Sequence, residues 1–181
     1  MAARVKARLV LASLAVSASI AHAQAASPAQ SVPPAYERAA RLEDVPARIL
    51  FALALQESGQ PWHGRLVPWP WTLNIAGAAL RYASRGEACS ALKGALQDRL
   101  ASGTDVGLGQ INVGFQGHRV REPCELLDPY LNLALAARIL REQHRPGEDW
   151  LLAVGRYHRP AGGEEASRYQ RSVEAHLAQV E

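Results

Sequence analysis

Apolar positions recur at helical spacing in six stretches of the chain, each bounded by cap or breaker residues. The pattern predicts helices over residues 35–42, 46–58, 87–101, 130–144 and 150–157, and a polar-faced last helix over 164–180. The second of these is the most hydrophobic. Pro46 suits its first turn and Gly59 suits a stop just past Ser58. Ser102-Gly103 ends the third helix, Arg145-Pro146-Gly147 closes the fourth, and Asp149 can cap the fifth. Residues 60–77 break the pattern. They hold three of the four Trp residues and three Pro residues, and proline excludes a helix there. Within them, residues 72–75 read as a short strand in a small hairpin. No internal repeat and no regular strand series is visible. The expectation is a mainly α domain over residues 35–181, with one irregular Trp/Pro loop and a short β-hairpin.

Composition changes this picture at the N-terminus. Arg4, Lys6 and Arg8 precede an apolar run of twelve residues ending at Ile20, and Ala21-His22-Ala23 fits a small-x-small cleavage site. Twelve residues are too few to span a bilayer. Residues 1–23 therefore read as a signal peptide, which implies export to the periplasm with no stable membrane anchor after cleavage. The alternative is an uncleaved anchor. Residues 24–34, rich in Ala, Ser and Pro, read as a flexible lead. Of the 20 Lys plus Arg, three lie in the leader, with none of the 17 Asp plus Glu, so the remainder is balanced at 17 against 17. The basic pI belongs to the leader, and bulk charge gives no support to a nucleic-acid partner. In an exported chain Cys89 and Cys124 pair as a disulfide, the alternative being two buried thiols. They do not make a zinc site, and the scattered His63, His118, His144, His158 and His176 show no metal-ligand spacing.

Three segments carry candidate chemistry. Glu57 ends the apolar helix and shares a face with Ile49 and Leu53. Apolar neighbours and the negative end of the helix dipole both raise the pKa of a carboxyl group, and a glutamic acid protonated near neutral pH is a general acid. The plain alternative is a helix-end Glu in water. The string Asp105-Val-Gly-Leu-Gly-Gln110-Ile-Asn112 has glycines for close backbone approach and two amides suited to hydroxyl and acetamido groups. Thr104 or Asp105 would cap a helix starting there, and the alternative reading is a glycine-tightened packing site. Tyr157 ends a further apolar helix, where its hydroxyl can reach a carboxyl group, or it is an ordinary Tyr at a core edge.

Taken together and in order, Glu57-Ser58, Gly107-Leu-Gly-Gln110 and Ala153-Val-Gly-Arg-Tyr157 resemble the soluble lytic transglycosylases of family 1, with a lysozyme-like (goose-type) helical domain. Asp128-Pro129, Asn132 and Ala136 also match that family's pattern. Two positions depart from it: Gly109 stands where the family has Met, and His158 where it has Asn. The Gly-Leu-Gly-Gln-Ile-Asn variant is similar to the subgroup that accompanies type IV secretion and conjugative elements.

The resemblance implies cleavage of the β-1,4 bond between N-acetylmuramic acid and N-acetylglucosamine in peptidoglycan, leaving 1,6-anhydro ends. Glu57 would be the catalytic acid and then the base, with Ser58, Gln110, Asn112 and Tyr157 binding substrate and Tyr157 also orienting Glu57. No metal or cofactor is implied; partners would be glycan strands and secretion or conjugation proteins. Trp62 and Trp69 either stack on sugar rings or plug the loop, and Trp71 reads as a plug. Two rivals stay open. One is a hydrolytic muramidase on the same fold, with Asp105 as second carboxylate. The other is a non-catalytic wall-binding module of an assembly apparatus.

Overall fold

The computed structural model describes residues 29–181. The expected leader and its cleavage site lie outside the described residues, as does the start of the expected lead. Within the described part of that lead, Gln30 pairs with the last residues of the chain. The Gln30 N–H donates to the Gln179 carbonyl at 2.7 Å, and the Gln30 carbonyl accepts from Glu181 at 2.9 Å.

The helices are α1 (Pro34–Leu42), α2 (Ala47–Ser58), α3 (Arg85–Gln97), the single turn α4 (Val113–Gln116), α5 (Pro129–Gln143), α6 (Trp150–His158) and α7 (Glu164–Leu177). Among the described residues no helix is long and apolar enough to cross a membrane. α2 is the core of the domain. It packs against α1, α7 and the strand Arg65–Pro68, and Leu50, Ala52 and Leu53 are wholly removed from solvent. α7 lies across both α2 and α6. A disulfide joins Cys89 on α3 to Cys124 in the 3-10 turn Pro123–Leu127.

The mainly helical expectation holds, but β structure is more extensive than the pattern predicts. The expected Trp/Pro loop is two consecutive hairpins. β1 (Gly59–Trp62) pairs with β2 (Arg65–Pro68), and β3 (Thr72–Ile75) pairs with β4 (Ala78–Arg81). Their two-residue turns, His63-Gly64 and Ala76-Gly77, have both residues at positive φ, the conformation that matches the strand twist. Pro61 is tolerated because β1 lies in a two-stranded ribbon with a free edge. β3 also pairs with β5 (Thr104–Val106), which pairs with β6 (Ile111–Asn112), giving a four-stranded antiparallel sheet ordered β4-β3-β5-β6.

Two helix expectations are corrected. The third helix starts at Arg85, because the Ser84 side chain caps it by accepting from Glu87 N–H, and ends at Gln97 rather than near Ala101. Its end is a Schellman motif: Arg99 is left-handed (φ 60°), Arg99 N–H reaches Leu96 and Leu100 N–H reaches Ala95. No helix starts at Thr104 or Asp105 either. Both are in β5, and the Thr104 hydroxyl donates back to the Leu100 carbonyl at 2.8 Å. Gly59 ends α2 in extended, not left-handed, geometry; a Cβ there would lie 2.2 Å from the Leu55 carbonyl oxygen.

Candidate active site

Glu57 is half-buried in the last turn of α2. The next residue, Ser58, is fully buried, and its hydroxyl is placed to donate to the Ala54 carbonyl at 3.1 Å and the Leu108 carbonyl at 2.9 Å. Ser58 therefore clips the end of α2 to the turn between β5 and β6. It does not face a groove, as a substrate-binding serine would.

That turn is built from residues 107–110. Gly107 has φ 82°, and a Cβ on it would lie 2.3 Å from Asn132 Nδ2. Asn132, buried on α5, organises the turn. Its oxygen accepts from Gly109 N–H at 2.8 Å, and its nitrogen donates to the carbonyls of Val106 at 2.9 Å and Leu126 at 2.8 Å. Gly109 has no room for a side chain: a Cβ would meet Ala136 Cβ at 2.6 Å and the Tyr157 hydroxyl at 3.0 Å. The glycine at this position thus answers to packing by α5 and α6. Gln110, at φ 46°, turns its amide inward to donate to Gly107 O at 2.8 Å and Thr72 O at 3.2 Å. The Asn112 nitrogen donates to Asp105 Oδ1 at 2.8 Å and Ser102 O at 3.0 Å, while its oxygen caps α4. Both amides expected to bind sugar substituents have their donors engaged by the protein.

Tyr157 reaches the site but not the expected partner. Its hydroxyl donates to the Gly109 carbonyl at 2.7 Å. The hydroxyl on Glu57 belongs to Tyr169, a core residue of α7, which donates to Glu57 Oε1. Sequence reasoning missed Tyr169. Ala166, Tyr169 and Val173 do form a buried stripe at helical spacing, which marks the face of α7 that packs inward. Nothing in that spacing says that a hydroxyl 112 residues away meets Glu57. The imidazole of His158, exposed at the end of α6, lies on the Tyr169 ring with centroids 4.4 Å apart and planes 3° from parallel.

The electrostatics follow from these contacts. Burial raises Glu57 to about 7, the Tyr169 hydrogen bond works against it, and the charge of Asp105 adds to it. Asp105 is itself raised by burial, with the Asn112 hydrogen bond and the charge of His158 pulling it down. Tyr157 and Tyr169 are both pushed well above the ordinary tyrosine value, first by burial and then by the Glu57 charge, so both remain phenols. The result is one carboxyl group poised to hold or release a proton near neutral pH, with a phenol on one oxygen and a second carboxylate nearby.

Trp62 on the first hairpin and Trp69 and Trp71 in the link to the second form a chain of rings. Trp71 packs against the core, Trp69 stands edge-on to it at 5.8 Å, and Trp62, 55% exposed, lies 6.3 Å beyond Trp69. The Trp69 indole N–H is occupied by the Tyr82 carbonyl at 2.8 Å. Compared with family models, curated proteins and solved structures, the chain finds no match in any of the three.

Proposed function

We propose that this protein is a peptidoglycan lytic transglycosylase with a lysozyme-like helical domain, and that Glu57 is its only obligatory catalytic acid. The observation that carries this reading is the half-buried carboxyl group at the end of an apolar helix, raised to about 7 and held by Tyr169. The order of motifs along the chain supports it. In the proposed reaction protonated Glu57 gives its proton to the glycosidic oxygen, and the bond to C1 of N-acetylmuramic acid breaks. The resulting carboxylate then takes the proton of the C6 hydroxyl as that oxygen attacks C1, closing the 1,6-anhydro ring. Atoms balance without water. Tyr169 stabilises the carboxylate form between the two steps. Tyr157 acts through Gly109, holding the turn against which the substrate would lie. Export to the periplasm and service to a secretion or conjugation apparatus belong to the same proposal.

The proximity of Asp105 favours one second reading. A carboxylate close enough to raise Glu57 is a candidate for activating water, as in a two-carboxylate muramidase. Digestion of purified sacculi, with mass analysis of the released ends, separates the two. Anhydro ends that persist in Asp105→Asn and vanish in folded Glu57→Gln are the expected outcome. Reducing ends that need Asp105 would mean hydrolysis, and activity retained by Glu57→Gln would falsify both.

A further inference from the structure

The imidazole of His158 is exposed, yet it lies flat on one of the most deeply placed rings of the site. Tyr169 is held on its other sides by the core, and its hydroxyl is committed to Glu57. A tyrosine hydroxyl lies on the axis of the second side-chain torsion, so it is displaced by tilt of the whole ring about the first torsion, whereas a hydrogen bond that matters to chemistry must be held within about 0.5 Å and 10–20°. The remaining freedom of the ring is toward solvent, where His158 covers it.

We propose that His158 is a positioning residue that acts through Tyr169: its ring face blocks tilt of the phenol toward solvent, so that the hydroxyl stays on Glu57. The inference rests on the acid role proposed for Glu57. The groups that face this assembly are Tyr169 from α7, Tyr157 from α6 and Asp105 from β5. Beside His158 on its own side, Arg159 is paired with Glu165 of α7. His158 also reaches Glu57 by charge, through Asp105; losing that charge leaves Asp105 less ionised and so lowers Glu57, and an upward shift therefore reports the Tyr169 hydroxyl. Because that hydroxyl holds Glu57 down, loosening the ring lets Glu57 rise further.

The test is a double-mutant cycle read by NMR titration of the Glu57 carboxyl carbon, assigned with Glu57→Gln. His158→Ala should move the midpoint up by about 0.5 pH unit, and Tyr169→Phe should move it up further. His158→Phe, which keeps a stacking ring, should not raise the midpoint above the wild-type value. In the Tyr169→Phe background, His158→Ala should add no upward shift, because the hydroxyl it positions is gone. In sacculus digestion His158→Ala should lower kcat by about tenfold and leave KM within about twofold, the mark of a misplaced catalytic group. An unchanged midpoint in His158→Ala, an equal shift in His158→Phe, or additive shifts in the double variant would each overturn the proposal. If wild-type protein releases no anhydro ends, the transglycosylase reading fails, while the titration cycle still decides the coupling.

Discussion

Glu57 costs the fold stability at neutral pH, and the sign of that cost can be worked out. Its carboxyl group titrates near 4.5 in an unfolded chain and at about 7 in the folded one. Below 4.5 it is protonated in both states and is neutral to folding. Between 4.5 and 7 the unfolded chain ionises while the folded chain does not, and stability falls. Above 7 the whole difference is felt, up to about 3 kcal/mol. Glu57→Gln should therefore melt close to wild type at pH 4 and higher than wild type at pH 8. Equal melting at both values would mean that Glu57 is not raised. On the proposed mechanism the same titration sets the alkaline limit of activity, which should fade as pH rises through about 7. Glu57 is legible in the sequence because a carboxyl group is conspicuous in an apolar run. Tyr169 is not, because a tyrosine in an amphipathic helix is ordinary until its hydroxyl is seen to have a partner.

Among the elements, the turn at residues 107–110 gathers most of the site, and one side chain holds it. Asn132 satisfies an N–H and two carbonyls that have no access to water. Asn132→Ala should cost about 3 kcal/mol or more in urea unfolding, since three buried partners are left unpaired at roughly 1 kcal/mol or more each. A loss below about 1 kcal/mol would show that the turn is held by its glycines instead. Three of the boundaries that sequence reading missed share one cause. His63, Ala76 and Arg99 all sit at positive φ, yet none is a glycine. Gly64 and Gly77 mark the two hairpin turns, but the left-handed conformation of the residue before each, and of Arg99, is imposed by strand pairing and helix packing and leaves no mark in the type of that residue. The helices, whose apolar spacing is repeated over several turns, are legible to within a few residues.

Across the whole molecule, closures distant in sequence complete the domain. The disulfide spans 35 residues, and removing a loop constraint of that length from the unfolded chain costs roughly 4 kcal/mol in the chain-entropy model. It anchors α3 to the 3-10 turn that precedes α5, and so to Leu126, whose carbonyl Asn132 reads. The double variant Cys89→Ser with Cys124→Ser should lose stability of that order in chemical unfolding and show a lower melting temperature. A melting temperature unchanged by the double substitution would mean that the bridge adds nothing. The pairing of Gln30 with Gln179 and Glu181 closes the described chain end to end.

Read alone, the sequence determined the mainly helical class, the central apolar helix, its terminal carboxyl group and the pairing of the two cysteines. Each is a local or compositional property: apolar spacing, a misplaced charge, two cysteines with only each other to pair with. Only the tertiary structure decided that Ser58 is a buried clip, that Gln110 and Asn112 bind backbone, and that Tyr169 rather than Tyr157 is on Glu57. Those outcomes depend on which atoms meet across loops of many residues. Helical spacing can say which face of α7 is buried, but only the packing of α7 across α2 and α6 brings its phenol to the acid.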